Sequence, residues 1–495
     1  MGIVIRQGLK TSIVLYIGVL LGALNNVWLF PQLLSPEEIG VLRLILANEL
    51  LLATIFQLGI VGVIDHFFPL FKKSTEGKNT FFTFCLIYPL IGLCLSFLFI
   101  HFVPFLLSPS LLEKYSNLLN YRYQLFFLVC LITYQGILLA FSRAHYRIVV
   151  PSILDSFLLR VVLVVALLLL SIELIDFKQF IGSIILTRIM SIIGLLIYLR
   201  RFNIGKLNWH FSFSIKELRS FINYGIFIML SSASNVVISN LDIIMLGGLI
   251  GEREAGIYSI AFFMGTVVEI PRRAISQISI PIISSAWKNN DIARIKTMYQ
   301  KTSINQLLVG AWLLLLILLN LKDIFLIMPK GEIYIQGYFV VLFIGLMRFI
   351  DMAMGMNHEI IIYSRYYRFN LITNLILILI MTMLNLFLIP RYQLEGAAFA
   401  TLSSIIVYNF IRLVFIYKQF KLQPFTKQTL ICLALVGTIA LVAYSTSTLE
   451  LHPIINILLR SLLISTLLAA GAWFFEVSED ANRLLTELIK KIKLK

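Results

Sequence analysis

The sequence is 495 residues long, 59% hydrophobic and only 13% charged, with a formal net charge of +16. A soluble domain is about 45–50% apolar and about 25% charged, so this composition excludes an ordinary soluble protein. The apolar residues occur in runs of about twenty, the length of helix that crosses about 30 Å of hydrocarbon. A transmembrane β-barrel would show short alternating segments instead. The chain is therefore predicted to be an all-α polytopic membrane protein.

We predict about fourteen transmembrane helices joined by short connections. They cover approximately residues 11–33, 41–64, 80–104, 121–142, 150–171, 178–199, 221–249, 255–285, 303–328, 334–358, 368–389, 394–417, 428–447 and 453–475. The predicted domains are an N-lobe at 1–200 (spans 1–6), a C-lobe at 201–427 (spans 7–12), two further spans at 428–477, and a tail at 478–495.

Lysine and arginine are distributed unequally between the two sets of loops. One side, which includes both termini, carries 26 basic residues, and the opposite side carries 7. Cytoplasmic loops of membrane proteins are enriched in these residues, so the positive charge indicates topology here and not nucleic-acid binding. Both termini are therefore predicted to be cytoplasmic.

A short internal repeat supports the division into two halves. Glu38-Ile-Gly-Val41 follows the first span, and Glu254-Ala-Gly-Ile257 follows the seventh, with Ala23-Leu-Asn25 and Ala233-Ser-Asn235 in the preceding spans. An acid at a helix N-terminus complements the helix dipole, and glycine permits a tight turn. The six-span spacing predicts two parallel six-helix halves related by an axis along the membrane normal.

The tail beyond Val477 has the pattern of an amphipathic helix that lies on the cytoplasmic leaflet. Ser478 and Asp480 are suited to begin it. One face carries the apolar residues Leu484, Leu485, Leu488, Ile489 and Ile492, and Lys490, Lys491, Lys493 and Lys495 add charge. The alternative is a solvated basic tail.

Ionisable residues near the middle of the spans are the most informative group. A charge at this depth is costly and usually faces a bundle interior or a water-filled cavity. Eight lie near mid-membrane: Glu49, Arg160 and Arg188 in the first half, and Glu269, Arg272, Arg273, Arg348 and Asp351 in the second. Asp242 lies in the outer third of its span, and Arg460 is intermediate. Arg43, Asp65, Asp155 and Arg412 lie nearer an interface, where side chains can snorkel.

Two interpretations of these charges remain open. Glu269 with Arg272 or Arg273, and Arg348 with Asp351, are three or four residues apart and can pair locally to fix helix packing. Five arginines against three acids still leave a cationic excess. Guanidinium groups bind phosphate oxygens bidentately and stay charged, so the excess favours a central cavity that receives an anion.

Pro271 lies beside the arginine pair, inside a span. A proline there frees a carbonyl and kinks the helix, which makes Pro271 either a hinge or a static kink. We find no nucleotide-binding glycine loop, no metal-ligand spacing among the six histidines and no nucleophile–base motif. The four cysteines lie inside spans and are interpreted as apolar fillers. Transport without ATP hydrolysis is favoured over catalysis, with no catalytic residue and no metal site expected.

Several segments resemble the polysaccharide-biosynthesis (oligosaccharide flippase, Wzx-like) family of the multidrug/oligosaccharidyl-lipid/polysaccharide (MOP) exporter superfamily. They are Leu241-Asp-Ile-Ile-Met-Leu-Gly247, Glu254-Ala-Gly-Ile-Tyr-Ser-Ile-Ala261, then Pro271, Gln277, Pro281 and Ser284, and Glu395-Gly-Ala-Ala-Phe-Ala-Thr401. The resemblance implies a MATE-like fold, with two six-helix lobes facing a central cavity and two peripheral helices. It also implies a flippase of the bacterial inner membrane that moves an undecaprenyl-diphosphate-linked oligosaccharide to the periplasmic leaflet for O-antigen, lipopolysaccharide, capsule or exopolysaccharide assembly.

In such flippases, cationic cavity residues are thought to accept the sugar-diphosphate head. The candidates in this sequence are Arg160, Arg188, Arg272, Arg273 and Arg348. Glu49, Asp242, Glu269 and Asp351 are candidates for pairing or for binding a coupling H⁺ or Na⁺, and no other cofactor is expected. A polysaccharide polymerase and other glycan-assembly proteins are expected partners.

Other functions remain open. A murein-precursor flippase shares the same chemistry, whereas a cation-coupled exporter of drugs or metabolites should have a cavity rich in acids and aromatic residues. A membrane-embedded glycan ligase or polymerase typically has a large periplasmic loop, and every predicted outer loop is short. A non-transporting scaffold of a glycan-assembly complex is the last alternative.

Overall fold

The structure is a computed structural model that describes residues 18, 20–71, 74–106, 108–145, 149–202, 207–211, 213–445, 451–483 and 486. All regular secondary structure in these residues is helical, and none of it is strand. The predicted all-α polytopic fold is confirmed.

Eleven helical segments within the described ranges are long and apolar enough to cross a membrane. The predicted number of fourteen is not confirmed. Predicted spans 11 and 12 lie in one 53-residue helical segment that a kink at Gln393 divides, and the predicted eighth span is divided into shorter helices. The first predicted span, 11–33, lies partly outside the described residues.

The chain divides into two compact units, Met1–Gly256 and Ile257–Lys495. In the first unit, short helical turns at Leu24–Leu29 and Phe30–Leu33 precede the long helices. These are α1 (Pro36–Phe56), α2 (Ile60–Phe71), α3 (Thr75–Ile87), α4 (Leu90–Leu106), α5 (Arg122–Ala144), α6 (Leu158–Ser171), α7 (Phe177–Arg200) and α8 (Ile215–Leu249). Helix α8, the predicted seventh span, packs against α1 in this unit. The lobe boundaries inferred from the sequence stay a prediction.

Helix α9 (Glu252–Thr266) begins at the end of the first unit. The second unit continues with α10 (Ile270–Lys288), α11 (Ile292–Ile327), α12 (Tyr338–Ala353), α13 (Asn357–Tyr363), α14 (Arg368–Phe420), α15 (Lys427–Ser445) and α16 (Pro453–Phe474). Helix α12 packs against α11 and α14, and α16 packs along α11. Helices α11 and α12 thus form the centre of this unit.

The starts of several helices follow directly from local sequence. Ser35 caps α1 in a reciprocal arrangement: its hydroxyl accepts from the Glu38 N–H at 3.1 Å, and the Glu38 carboxylate accepts from the Ser35 N–H at 2.8 Å. Ser214 and Glu217 form the same capping box at α8, and Asp176 with Gln179 forms one at α7. Each box satisfies backbone donors that the first helical turn leaves unpaired.

One break in the helices falls inside a predicted span, and another falls between two predicted spans. Predicted span 41–64 is interrupted between α1 and α2, where Leu58 and Gly59 have φ angles of 54° and 72°. A Cβ on Gly59 would lie 2.0 Å from the Gly225 carbonyl oxygen, so the close approach of α8 also requires glycine. In α14, Gln393 has φ 48° and ψ −121°, which separates the predicted eleventh and twelfth spans.

The two copies of the internal repeat meet in the first unit. A Cβ on Gly40 would lie 1.8 Å from the carbonyl oxygen of Glu252, and one on Gly256 would lie 1.9 Å from that of Pro36. The helices α1 and α9 therefore cross with their backbones nearly in contact. Glycine in both copies is explained by this crossing as well as by turn geometry.

The start of the predicted tail helix lies on the second unit. The Ser478 hydroxyl accepts from the Ala481 N–H, as predicted for a cap, and Asn305 of α11 donates to Asp480. Lys301 pairs with Glu479 at 2.8 Å. The apolar residues predicted to bind the leaflet, Leu484, Leu485, Leu488, Ile489 and Ile492, lie outside the described residues, as do Lys490, Lys491, Lys493 and Lys495.

Candidate functional site

The first unit contains a buried network of charged residues centred on Arg188. Helix α7 carries Arg188, which is 9% exposed, and α1 carries Glu49, which is 1% exposed. The Arg188 Nη2 atom lies 3.3 Å from Glu49 Oε1, and Nη1 lies 3.6 Å from Asp155 Oδ1. One guanidinium group therefore pairs with two carboxylates from different parts of the chain.

An amide on α5 completes this network. The Gln135 carbonyl accepts from Arg188 Nη1 at 2.9 Å, and its amide nitrogen donates to Ser191 at 2.8 Å and to Asp155 at 3.2 Å. Gln135 is 1% exposed, so these bonds are made away from bulk water. Asp155, which we expected near an interface, thus belongs to the Arg188 network. Asp155 lies on a π-helical turn, Ile153–Phe157, which the pattern of apolar residues does not predict.

The second unit holds two ion pairs that connect α12 with the broken α9–α10 segment. Arg348 Nη1 lies 2.7 Å from Glu269 Oε2, and Arg272 pairs with Asp351. The two pairings predicted within single helices are therefore wrong. They were Glu269 with Arg272 or Arg273, and Arg348 with Asp351. The partners are exchanged between helices because α12 packs beside the 3₁₀ turn Val267–Glu269.

Two buried asparagines continue the hydrogen-bond network from the Asp351 carboxylate of the Arg272–Asp351 pair. Asn409 of α14 donates to Asp351 Oδ1 at 3.0 Å, and its carbonyl accepts from Asn357 at 2.8 Å. Both asparagines are 1% exposed. Because a buried charge is tolerated when hydrogen bonds satisfy its remaining lone pairs, these amides fix the Asp351 carboxylate in place.

Arg412 is buried by other side chains of the protein, so the prediction that it could snorkel is wrong. Its side chain in α14 is 2% exposed. The guanidinium donates to His358 Nδ1 at 3.1 Å and to the Asn370 carbonyl, and it stacks 4.0 Å from the centre of the Tyr408 ring. The depth estimated from the sequence did not reveal this burial, because Arg412 lies only a few residues from the predicted end of its span.

Arg43 is also more buried than predicted. Its Nε and Nη2 atoms are buried, with no hydrogen-bond partner among the described residues, and its guanidinium lies 5.6 Å from the Phe30 ring centre. Arg460 of α16, which we placed at intermediate depth, is bound by Asp323 of α11 at 2.8 Å. This pair joins α16 to α11, a structural role that the sequence did not reveal.

The remaining candidates differ in their surroundings. Arg273 is exposed and forms no ion pair within the described part of the chain. Arg160 in α6 is half-buried, and a Cβ on Gly18 would fall 1.9 Å from its Nη1 atom. Asp242 is buried in α8, at 4% exposure. The structure brings Glu49 together with Arg188, and it brings Glu269, Arg272, Arg348 and Asp351 together, but it assigns no ligand to them.

Pro271 lies where the predicted eighth span changes direction. The α-helix α9 ends at Thr266, a 3₁₀ turn covers Val267–Glu269, and α10 begins at Ile270 with Pro271 in its first turn. Proline is well tolerated in a first turn, where its missing N–H would be unpaired in any case. The break exists in this structure, and bending at Pro271 stays a prediction.

The comparison with protein families identifies the chain. Its residues 5–287 match the family described as "Polysaccharide biosynthesis protein", which is more than half of the sequence. The chain belongs to this family. No curated protein matches the sequence. The resemblance expected from the repeat and proline motifs is therefore confirmed.

Solved structures show the fold of this family member. A "Lipid II flippase MurJ, inward closed conformation" is 16% identical, with a TM-score of 0.71 over 94% of this chain and 98% of that chain. An inward-facing MATE-family multidrug transporter of the MOP superfamily is 14% identical, with a TM-score of 0.60 over 84% and 98%. Its outward-facing counterpart gives 15% and 0.53, over 85% and 95%. The chain is a multi-pass membrane protein with a MATE/MurJ-like fold.

Proposed function

We propose that this family member flips an undecaprenyl-diphosphate-linked oligosaccharide from the cytoplasmic to the periplasmic leaflet of the bacterial inner membrane. The product would supply O-antigen, capsule or exopolysaccharide assembly, and both termini would be cytoplasmic. The observation that carries the proposal is the set of Arg272, Arg273 and Arg348 beside only two carboxylates, in a chain of the polysaccharide biosynthesis family.

The energetics explain why a diphosphate needs such a set. A doubly charged head cannot cross hydrocarbon unaided, because burial of unpaired charge costs many kcal/mol. Arginine replaces lost hydration with planar, charge-assisted hydrogen bonds. Arg273 is exposed and has no carboxylate partner among the described residues, so we assign it the first contact with the diphosphate.

Arg272 and Arg348 would then share their donors with the substrate. Each gives Nη1 to a carboxylate, and Arg348 Nε is buried with no hydrogen-bond partner in the described chain. Guanidinium has five donor hydrogens, so an arginine can keep its carboxylate and still bind a phosphate oxygen. In this mechanism Glu269 and Asp351 hold the arginines in position when no substrate is bound.

The Arg188 network supports a different task in the first unit. Two carboxylates, Glu49 and Asp155, face a single guanidinium group, which leaves an acidic excess that suits a proton or Na⁺. Coupling requires that the cation binds with different affinity in the inward- and outward-open states. We therefore propose that cation binding at Glu49 and Asp155 shifts alternating access, with Arg188 as the internal counter-charge instead of a substrate ligand. The part of Arg160 in binding the diphosphate stays a prediction.

The test is leaflet-specific labelling of the lipid-linked glycan in a deletion strain complemented with variants. Arg272→Ala with Arg273→Ala should abolish arrival of the glycan in the periplasmic leaflet while leaving membrane insertion intact. The matched control is Arg200→Ala with Arg201→Ala, since this adjacent pair is exposed at the end of α7. Unchanged flipping in the Arg272→Ala, Arg273→Ala variant would show that these arginines do not bind the diphosphate. Loss of flipping in the control would show that flipping depends on total positive charge.

A murein-precursor flippase is the second candidate, favoured by the extent of the structural match with the lipid II flippase. Rescue of a strain depleted of its own lipid II flippase would support this candidate, whereas rescue of surface glycan alone supports the proposal above. A drug exporter predicts changed susceptibility to cationic compounds without a change in either glycan.

A further inference from the structure

A polar cavity of about 480 Å³ opens in the second unit, at the ends of α10, α13 and α14. Its walls include Trp287 and Lys288 from the end of α10, Asn290 from the following turn, Tyr363 and Arg365 from the segment after α13, and Phe420 from the end of α14. None of these residues belongs to the Arg272–Arg348 set, so the cavity is separate from the site proposed for transport.

The cavity is cationic. Lys288 and Arg365 are exposed, and neither forms a salt bridge within the described residues. No aspartate or glutamate is among the described residues that line it. Arg365 is held in one orientation, because its Nη2 donates to the Tyr366 hydroxyl at 2.8 Å and its guanidinium lies 4.8 Å from that ring. Two positive charges, of which Arg365 is held in place, thus line an opening with no carboxylate among its described lining residues.

Aromatic and amide side chains complete the lining beside these charges, and Trp287 is one of them. Its indole ring packs against Phe420, with ring centres 4.8 Å apart. Asn290, with φ 54°, ends the helix and adds a carboxamide to the lining.

The volume and position of the cavity distinguish among anions. Ligand sites occupy about 300–1,000 Å³, whereas a water molecule needs about 30 Å³, so 480 Å³ suits a headgroup better than a single small ion. The lining residues follow the ends of apolar helices, in loops whose lysines and arginines predict a cytoplasmic position. Anionic phospholipids are present at that surface, and aromatic rings favour the headgroup level.

We infer that this cavity binds the phosphate-bearing headgroup of an anionic membrane phospholipid. Lys288 and Arg365 contact the phosphate oxygens, and the aromatic side chains pack against the glycerol of the headgroup. The inference does not depend on the transported substrate, and it concerns a lipid that remains in its leaflet.

The experiment titrates the purified full-length protein in detergent with phosphatidylglycerol and counts retained lipids by native mass spectrometry. Lys288→Gln with Arg365→Gln should weaken retention of one phosphatidylglycerol by about tenfold or more, since two charge-assisted hydrogen bonds are lost. The matched control, Arg294→Gln with Lys296→Gln, removes the same charge from exposed positions that do not line the cavity. It should retain the lipid as the unmodified protein does.

Several outcomes overturn the inference. Equal retention by the cavity variant would show that the site is not used, and equal loss in the control would indicate diffuse attraction to positive charge. Equal retention of phosphatidylcholine with the same acyl chains would show that anionic charge is not recognised. Displacement of the lipid by equimolar inorganic phosphate would assign the cavity to a free phosphate instead of a lipid.

A second variant keeps the inference testable if the double glutamine variant does not fold. Arg365→Gln alone removes one exposed charge from the lining and leaves Lys288 in place. We expect about threefold weaker retention of phosphatidylglycerol, with unchanged elution on size exclusion. Unchanged retention would remove the Arg365 guanidinium from the site.

Discussion

The Arg188 network of the first unit and the Arg272–Arg348 set of the second use the same chemical groups with opposite excess charge. In the first, the Arg188 guanidinium faces Glu49 and Asp155, and it also donates a hydrogen bond to the Gln135 carbonyl. In the second, Arg272, Arg273 and Arg348 accompany only Glu269 and Asp351. An acidic excess favours a bound cation and a basic excess favours a bound anion. This difference is the reason why we propose ion coupling in the first unit and substrate binding in the second.

The ion pairs themselves are a poor measure of stability. Desolvation of two buried charges offsets most of their attraction, so a well-packed apolar replacement is often neutral. Removal of one partner is different, because it leaves the other charge buried without compensation. Single and paired substitutions therefore separate a network that is only structural from one that also binds a ligand.

The largest effect should follow Arg188→Ala. It leaves two carboxylates and the Gln135 carbonyl without their common donor, and breaking a buried pair costs about 3–5 kcal/mol. We expect a large fall in the thermal unfolding midpoint, measured by fluorescence-detected size exclusion in detergent. Arg188→Gln combined with Glu49→Gln should recover part of the midpoint, because the most buried negative charge is then removed. A midpoint equal to that of the unmodified protein would show that these groups are hydrated.

A charge swap in the second unit should have the next largest effect. Arg348→Glu alone places a second carboxylate beside Glu269. This variant should neither fold stably nor flip the glycan. Adding Glu269→Arg restores an ion pair between α12 and the 3₁₀ turn, so the midpoint should recover. Flipping should stay at least about tenfold below normal, because the guanidinium has left its position, and tenfold corresponds to about 1.4 kcal/mol. Full recovery of flipping in the swapped protein would make the pair purely structural.

Substitution of Arg273 should affect transport alone. The side chain is exposed and forms no salt bridge within the described residues, so Arg273→Ala should change stability by less than about 0.5 kcal/mol. We expect flipping to fall about tenfold in Arg273→Ala and less in Arg273→Lys, since lysine keeps the charge and loses the planar fork. Equal rates in all three proteins, measured by leaflet-specific labelling, would exclude Arg273 from the diphosphate path.

The sequence predicted the fold class and the family well, because apolar runs of membrane length and the repeat motifs are local signals. It selected charged residues that the structure brings together in the second unit, but it mispaired them. Spacing along one helix favours Arg348 with Asp351, whereas the partner of Arg348 is Glu269, from another helix. Such pairings depend on helix rotation and on the 3₁₀ turn before Pro271, which periodicity does not encode. Arg412 was missed for a related reason, since its burial follows from packing by His358, Asn370 and Tyr408.

A connection in the first unit gives a further test on groups outside the spans. Two short helices, Pro109–Lys114 and Ser116–Asn120, connect α4 with α5. Glu252, at the start of α9, accepts from the Leu118 N–H and the Asn117 amide, each at 2.8 Å. Burial raises the pKa of the Glu252 carboxyl above its ordinary value of 4.5. The pKa of Tyr115 is also raised, to about 12, mainly by burial and to a smaller extent by the negative charge of Glu252.

The smallest effect should be a pH dependence that Glu252→Gln removes. A raised pKa means that the folded protein holds this proton more tightly than the unfolded chain. The stabilising contribution is complete below the ordinary value of 4.5 and is lost as the pH rises through the folded-state pKa. The midpoint of the unmodified protein should therefore fall relative to that of Glu252→Gln as pH rises above 4.5. Because other titrating groups are common to both proteins, their contributions cancel in the difference. Parallel midpoints across this range would show that the two hydrogen bonds offset the burial of Glu252.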